Sequence, residues 1–356
     1  MSKKTKNPRR KKKSKTGKII LFSVEIIVLV LMVMFLYSAL RVEKSGKVVI
    51  PEEDIVINEE IKEYAEEELK GFRNIALFGV DSTSGQLAKS TRSDSIMVAS
   101  INLDTYEVRL VSVYRDTYLN LGNDSYNKCN VAYARGGPEQ AINMLNMNMD
   151  LNISEFVTVG FKGLTDTIDA LGGIMIDIDE VELQHVNNYQ STMASDMKRS
   201  FTPVEKTGYQ LVDGLAATAY CRIRYTAGDD FKRTERQREV LNATLEKAQN
   251  ASVSTLTKIA NDIFPSIYTN FDLADIVDML ADAGKYKIVA DGGFPEASMR
   301  TTGMIGKSGS CVVPLDLKSN AIWLHEFLFE SENYTPSADL IIYSDKIHAD
   351  TAPYLR

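Results

Sequence analysis

The distribution of apolar residues changes character three times along the chain. Residues 2–18 (SKKTKNPRRKKKSKTGK) hold no apolar run, residues 19–40 (IILFSVEIIVLVLMVMFLYSAL) are almost wholly apolar, and residues 41–70 turn acidic. From Gly71 onward, short apolar runs alternate with polar turns. Twenty-two helical residues reach about 33 Å, enough for a hydrocarbon core of about 30 Å. Segment 19–40 is therefore expected to be a transmembrane anchor. It is too long for the core of a cleaved signal peptide, and no small-x-small site follows it. Glu25 inside it is read as tolerated near the cytoplasmic end. Residues 41–70 are expected to form an acidic stalk with a short helix from about Asn58.

Beyond Gly71 the periodicity predicts a folded domain to about residue 330, followed by a tail over 331–356. Asn74–Asp81 is a short apolar run ending in an acid. Ser95–Asp104 and Glu107–Tyr114 are β-rich runs around a hairpin turn at Asp104-Thr105. Lys128–Asn148 reads as a helix broken by Gly136-Gly137-Pro138, Phe156–Val159 as a strand, and Lys162–Leu171 as a helix stopped by Gly172-Gly173. A strand is expected at Ile174–Ile178. Residues 183–203 read as a polar surface insertion, and Gly214–Ala219 as a short helix leading into an extended 220–225. Helices at 231–250, 253–264 and 272–283 follow. Strands near 286–290 and 311–315 come next, then a helix around 319–329. Alternating strands and helices predict an α/β domain layered on a mixed sheet.

Charge sharpens the picture. The net charge of −7 conceals ten Lys/Arg against one acid in residues 1–40, leaving 31 basic and 47 acidic residues beyond them, a net of −16. The basic flank predicts a cytoplasmic N-terminus and an extracellular C-terminal mass. A domain this acidic lacks the basic footprint of a nucleic-acid binder. Three cysteines, Cys129, Cys221 and Cys311, leave at least one without an intramolecular partner. His185, His325 and His348 are scattered and make no zinc pattern. Gly303–Ser308 lacks the first glycine of a phosphate loop, and no nucleophile elbow is present.

Against that acidity, Tyr220–Arg238 (YCRIRYTAGDDFKRTERQR) holds six basic residues, Arg222, Arg224, Lys232, Arg233, Arg236 and Arg238. In an extended 220–225, Arg222 and Arg224 share a face. In a helical 231–250, Arg233, Arg236 and Gln237 share another. Arginine forks suit carboxylate and phosphate, and converging forks call for an anion between them. A solvated, self-paired helix face would explain the helical charges but not the strand-phase pair. A second group lies at the expected strand ends: Asp81, Arg92 and Asp94, Arg115 and Asp116, then Lys128 and Asn130. Carboxylates among cations are what a metal–diphosphate site requires, with oxygen ligands of the kind Mg²⁺ takes.

The order GVD…TRSDSI…SVYRDTYL…KCNVAYARGG…GYQLVDGLAATAYCRIRY…DDFKRTERQR resembles the LytR–CpsA–Psr family of bacterial envelope proteins, from about Asn74 to Arg238. The resemblance implies a three-layer α/β/α sandwich with an apolar slot for a lipid tail, behind one transmembrane helix. It implies a phosphotransferase that moves a glycopolymer (teichoic acid, capsule or similar) from a polyprenyl diphosphate carrier to peptidoglycan. By position, Asp81 and Asp94 would hold Mg²⁺, with Mn²⁺ as a substitute. Arg92, Arg115, Arg222, Arg224, Arg233 and Arg236 would surround the diphosphate, and Gln237 would help fix it. Lys128 and Asn130 fall in the substrate-binding set, and Asp116 or Asp230 is a candidate base. Two positions depart from the family pattern: Thr83 where arginine is frequent, and Tyr114 where proline is frequent. A non-catalytic lipid-diphosphate-binding regulator and a diphosphatase are the alternative functions.

Overall fold

The computed structural model describes residues 48–82, 86–224 and 228–355. The basic tail, the expected anchor with Glu25, and Thr83 lie outside the described residues. The strands are β1 (Phe72–Val80), β2 (Ser93–Asn102), β3 (Glu107–Val113), β4 (Tyr118–Asn120), β5 (Tyr126–Lys128), β6 (Glu155–Gly160), β7 (Ile174–Ile178), β8 (Gly208–Val212), β9 (Ile267–Thr269), β10 (Lys287–Phe294), β11 (Arg300–Ile305) and β12 (Gly309–Pro314). The helices are α1 (Glu59–Glu67), α2 (Asn130–Met149), α3 (Phe161–Ala170), α4 (Glu180–Asp196), α5 (Gly214–Tyr220), α6 (Asp229–Gln249), α7 (Val253–Ile263), α8 (Leu273–Ala281), α9 (Leu317–Phe329) and α10 (Ala338–Thr351).

Six strands form the central sheet in the order β10-β3-β2-β1-β6-β9. β1 runs parallel to β6 and β3 parallel to β10, while the remaining pairs are antiparallel, so the sheet is mixed as the alternation predicts. The β2–β3 turn is held by Asn102, whose side chain accepts from the amides of Asp104 and Thr105 at 3.0 Å each. Successive side chains of a strand face opposite ways, and β1 shows it. Ala76, Phe78 and Val80 enter the core shared with α2, α9 and α10. Ile75 and Leu77 enter the core on the other face, with Leu241 of α6 and Met279 of α8. The result is a three-layer α/β/α sandwich. Gly136-Gly137-Pro138 breaks α2 into two helical segments that meet at a kink, as expected, with Gly137 outside the helical region. Gly137 sits at φ +69°, and a Cβ there would come within 2.6 Å of the Ala88 carbonyl, so both backbone conformation and space require glycine.

Several expectations are corrected. Residues 183–203 are not an irregular insertion, because most of them belong to α4. That helix opens on a capping box: the Asp179 side chain accepts from Glu182 N at 2.7 Å, and the Glu182 side chain accepts from Asp179 N at 3.1 Å. It buries Val186, Gln190, Met193 and Ala194, and a glutamine on the inward face hid the helical period. Nor are residues 220–224 extended, Tyr225 lying outside the described residues: α5 runs through Tyr220, and the amides of Cys221 and Arg222 turn back onto Ala217 and Ala219. The alternation of Arg222 and Arg224 about a fully buried Ile223 is that of a turn.

Residues 48–70 do not stand apart as a stalk, nor 331–355 as a tail. Val48 N donates to Thr269 O at 3.0 Å, and Ile61 and Leu69 are buried. Asp150, left-handed at φ +50° at the end of α2, gathers both segments. It accepts from the Asn58 amide, from Tyr334 Oη at 2.5 Å and from Ser337 N at 2.8 Å. Burial raises the Asp150 pKa, and these hydrogen bonds oppose the rise. His325 stacks on Tyr334 with ring centroids 3.5 Å apart, and its Nε2 lies 3.0 Å from the Met149 carbonyl. Cys129, Cys221 and Cys311 are buried free thiols.

Candidate functional site

A cavity of about 410 Å³ opens between the sheet and α6. Leu77, Met97 and Val157 line it from the sheet, Leu164 from α3, and Val240 and Leu241 from α6. Its charged side chains and one amide come from strand ends, a turn and one helix face: Asp81, Asp94, Arg222, Arg224, Arg233 and Gln237. An apolar body with convergent polar groups is the usual build of a small-molecule site.

The strand register brings the two carboxylates together. β1 and β2 pair with a register shift between Gly79 and Val80, which sets Val80 against Ser93. Asp81 therefore leaves the end of β1 beside Asp94, the second residue of β2. From the turn after α5, Arg222 lies over the rings of Phe161 and Tyr189, at 4.4 and 5.4 Å, with Nη2 3.9 Å from Asp81. Arg224 Nη2 reaches Asp94 Oδ2 at 3.0 Å. The strand argument for this pair fails, yet both side chains reach the cavity, because the turn buries Ile223 and leaves its two neighbours facing outward.

α6 supplies Arg233 and Gln237. Arg233 is only 3% exposed; its Nη2 donates to Asp230 and, at 3.2 Å, to the Asp94 carbonyl. Its Nε and Nη1 are buried without a hydrogen-bond partner among the described residues. Burial lowers the Arg233 pKa to about 10; Asp230 opposes the shift, while Arg115 and Arg224 add to it. A buried guanidinium with idle donors beside two further arginines is short of negative charge.

Behind this lining stands a second charged layer. Arg115 Nη1 donates to Asp94 Oδ1 at 2.7 Å, and its Nε lies 3.5 Å from Asp230 and 3.6 Å from Asp116. Lys128 Nζ meets Asp116 at 3.0 Å. Burial works against the charge on Arg115, but Asp94, Asp230 and Asp116 outweigh it and hold the pKa above its ordinary value. Burial raises the Asp230 carboxyl, although Arg233 and Arg115 pull the other way. Asn130 N donates to the Arg115 carbonyl at 3.1 Å, so this residue holds the backbone of the layer. Arg115, Asp116, Lys128, Asn130 and Asp230 do not line the cavity themselves.

Two expected site residues stand elsewhere. Arg92 is exposed and outside the lining. Arg236 is buried on the flank of α6, where its Nε donates to Glu182 Oε1 at 2.7 Å and its guanidinium lies 5.7 Å from the Tyr220 ring. At 3.6 residues per turn, Arg236 and Gln237 point about 100° apart, on either side of Arg233. The rotation of α6 on the sheet turns Gln237 into the cavity lining and leaves Arg236 outside it.

The sequence reading missed the aromatic platform of Phe161 and Tyr189 and a clamp beside the charged layer. Arg300 Nη1 donates to Tyr114 Oη at 3.0 Å and to Pro295 O at 2.8 Å, with its guanidinium 4.6 Å from the Tyr114 ring and 4.2 Å from that of Phe231. Tyr114 precedes Arg115 and Phe231 follows Asp230, so the clamp joins the two segments that carry the layer. Tyr114 N donates to Phe294 O at 3.0 Å, a bond proline cannot make. The available signal was an aromatic residue next to a charged one at each place.

The polyisoprenyl-teichoic acid–peptidoglycan teichoic acid transferase TagV of Bacillus subtilis is 29% identical over 209 residues, 57% of this chain and 50% of that protein. The like-named transferase TagU of Enterococcus faecalis is 30% identical over 212 residues, 59% of this chain and 65% of that one. The chain thus spans between half and two thirds of these relatives. Among solved structures, YwtF (TagT) with bound octaprenyl pyrophosphate lipid matches with a TM-score of 0.53 at 19% identity, over 73% of this chain and 91% of that one. At that identity the likeness speaks for the fold. The LytR_cpsA_psr family model matches residues 37–306, and the chain belongs to that family.

Proposed function

We propose that this protein is a membrane-anchored phosphotransferase that moves a glycopolymer from a polyprenyl diphosphate carrier onto peptidoglycan, with its N-terminus cytoplasmic and its catalytic domain extracellular. The observation that carries the reading is one cavity whose body is apolar and whose charged side chains are three arginines and two carboxylates. A prenyl chain fits the apolar part. At about 0.8 kcal/mol per buried CH₂, each five-carbon unit it shields contributes about 4 kcal/mol. A diphosphate at the charged part meets Arg222, Arg224 and the idle donors of Arg233. One such contact at about 4 Å is worth on the order of 4 kcal/mol at an effective dielectric of 20, before desolvation.

Asp81 and Asp94 fit a divalent cation. Both are hard oxygen donors at adjacent strand ends, and both line the cavity. Among the described residues no cluster of three or more His, Cys, Asp or Glu surrounds a point, so water and phosphate oxygens would complete the sphere, as Mg²⁺ prefers. Mg²⁺ bound there, or Mn²⁺ in its place, would supply positive charge to the diphosphate oxygens. The chain's own part is positioning and charge stabilisation. Arg115, held by Asp94, Asp116 and Asp230, keeps the carboxylate of Asp94 in place. A sugar hydroxyl of peptidoglycan attacks the phosphorus that bears the polymer, the P–O bond to the carrier breaks, and the polyprenyl phosphate that leaves takes up the hydroxyl proton. Asp116 and Asp230, expected as candidate bases, are engaged behind Asp94 and serve in this reading to orient Arg115 and Arg233.

The test is mass spectrometry of lipid extracted from the full-length protein, beside transfer from a lipid-linked polymer. Wild type should carry a prenyl diphosphate, and Leu164→Trp, which fills the cavity from α3, should not. Equal prenyl content in both proteins, or release of phosphate with no dependence on a glycan acceptor, would reject transfer through this cavity.

A further inference from the structure

The register of the sheet sets the length of the cavity beneath α6. Asp81 and Asp94 stand at its charged end. Two cross-strand rows of β2, β1 and β6 follow: Ser95–Gly79–Val159, then Met97–Leu77–Val157. Room over the first row depends on small residues. Gly79 carries no side chain, and a Cβ there would come within 2.9 Å of Ser95 Cβ. On the opposite wall Arg233, Gln237, Leu241 and Thr244 form one stripe of α6, spaced three and four residues apart.

Both walls stop at the same depth. The row beyond Leu77 pairs Ile75 with Ala99, and neither residue lines the cavity. Both are buried in a cluster with Phe271, on which Leu241 and Met279 pack. One turn beyond Thr244 on α6, Ala248 is buried with Leu171, Leu256 and Ile259. Protein interiors are close-packed, so these two filled clusters close the end away from the charges. From Asp81 back to Leu77 the strand covers about 13 Å. From Gln237 to Thr244 the helix covers about 10 Å. A five-carbon prenyl unit, four bonds long, spans about 5 Å at ordinary bond lengths and angles. The apolar part therefore has room for two to three such units in line.

We infer that the row Met97–Leu77–Val157, with Leu241 and Thr244 across from it, is a floor that limits the cavity to the first three prenyl units after the diphosphate. The inference rests on the transferase reading and deepens it by naming the residues that decide how much of the carrier is read. Specificity then lies in the diphosphate and the near end of the chain. Units beyond the third lie outside the cavity, and carriers that differ only there are bound alike.

The experiment is photolabelling of the full-length protein in nanodiscs with two pentaprenyl diphosphates. One carries a diazirine on the second unit from the diphosphate and the other on the fifth, and mass spectrometry reads the labelled residues. The second-unit probe should label the lining, at Met97, Val157 or Leu241. The fifth-unit probe should label the lining at least about tenfold less, because it lies beyond contact distance of it. Thr244→Phe and Val157→Phe fill the far end from opposite walls. Each should weaken farnesyl diphosphate, which has three units, about tenfold or more relative to geranyl diphosphate, which has two, as calorimetry reads it. Fifth-unit labelling of Phe271, Met279, Ala248 or Leu256, equal labelling of the lining by both probes, or an unchanged farnesyl-to-geranyl ratio in both variants would overturn the floor while leaving the transferase reading in place. Absence of second-unit label from the whole lining would instead reject that reading, and the floor with it.

Discussion

Arg236→Met is expected to destabilise the fold by about 3–5 kcal/mol, the range for removing one partner of a buried ion pair. The pair with Glu182 is 2.7 Å long, and its side chains are 2% and 5% exposed, so water cannot take the place of the missing partner. At about 4 Å and an effective dielectric of 20, the attraction is on the order of 4 kcal/mol. The truncation leaves that much uncompensated on Glu182. Glu182 also closes the capping box of α4 through Oε2, so replacing it with an apolar residue would mix two effects. Glu182→Gln removes the charge and keeps the reach to Asp179 N. The double variant should therefore recover about 2 kcal/mol of what Arg236→Met loses. Urea unfolding of the full-length protein, followed by circular dichroism for all four members of the cycle, measures the coupling. If Arg236→Met unfolds at the wild-type urea concentration and loses only prenyl diphosphate binding, the buried-pair reasoning is wrong and Arg236 belongs with the substrate.

Arg222→Lys and Arg224→Lys keep the charge but lose the fork; Arg224→Lys should slow glycopolymer transfer at least about tenfold, or about 1.4 kcal/mol of transition-state stabilisation, with little change in the urea midpoint. Wild-type turnover in both would remove the pair from the site. Asp94→Asn takes a carboxylate from Arg115 and Arg224 together and should abolish the response of transfer to added Mg²⁺; a wild-type metal titration would exclude Asp94 as a ligand. Burial lowers the pKa of His325 to about 4, below the roughly 6.5 of the unfolded chain, so the unfolded state binds the extra proton between these values and stability falls as pH drops from about 6.5 to 4, by at most about 3 kcal/mol. The raised pKa of Asp150 acts in the opposite sense at the acid end. His325→Phe should flatten the slope, and an unchanged slope would assign it to other groups. Arg300→Ala should lower kcat more than it raises KM, because it frees the segments bearing Arg115 and Asp230 and touches no cavity-lining residue; a change in KM alone would place Arg300 on the substrate.

Much of the fold was legible locally. The strand period of Asn74–Asp81 and of the hairpin after it, the helical period of 231–250, and the glycine stops after Leu171 each depend on residues within one or two turns of the chain, so short-range pattern reveals them. The joint placement of Asp81 and Asp94 was legible too, since an antiparallel pair sets one strand's end beside its partner's start. Contacts distant in sequence decided the rest. Helical spacing sets the angle between Arg233, Arg236 and Gln237 but not the rotation of α6 on the sheet. That rotation was decided by packing against the sheet and by a glutamate 54 positions away, on a helix whose inward glutamine disguised its period. Likewise, the acidic composition of 48–70 suggested a solvated stalk. The buried carboxylate of Asp150, in need of donors, draws Asn58 from that segment and Tyr334 and Ser337 from the far end of the chain. Composition averages over a segment, whereas burial is settled by the few side chains that find a partner, and those partners meet only in the folded chain.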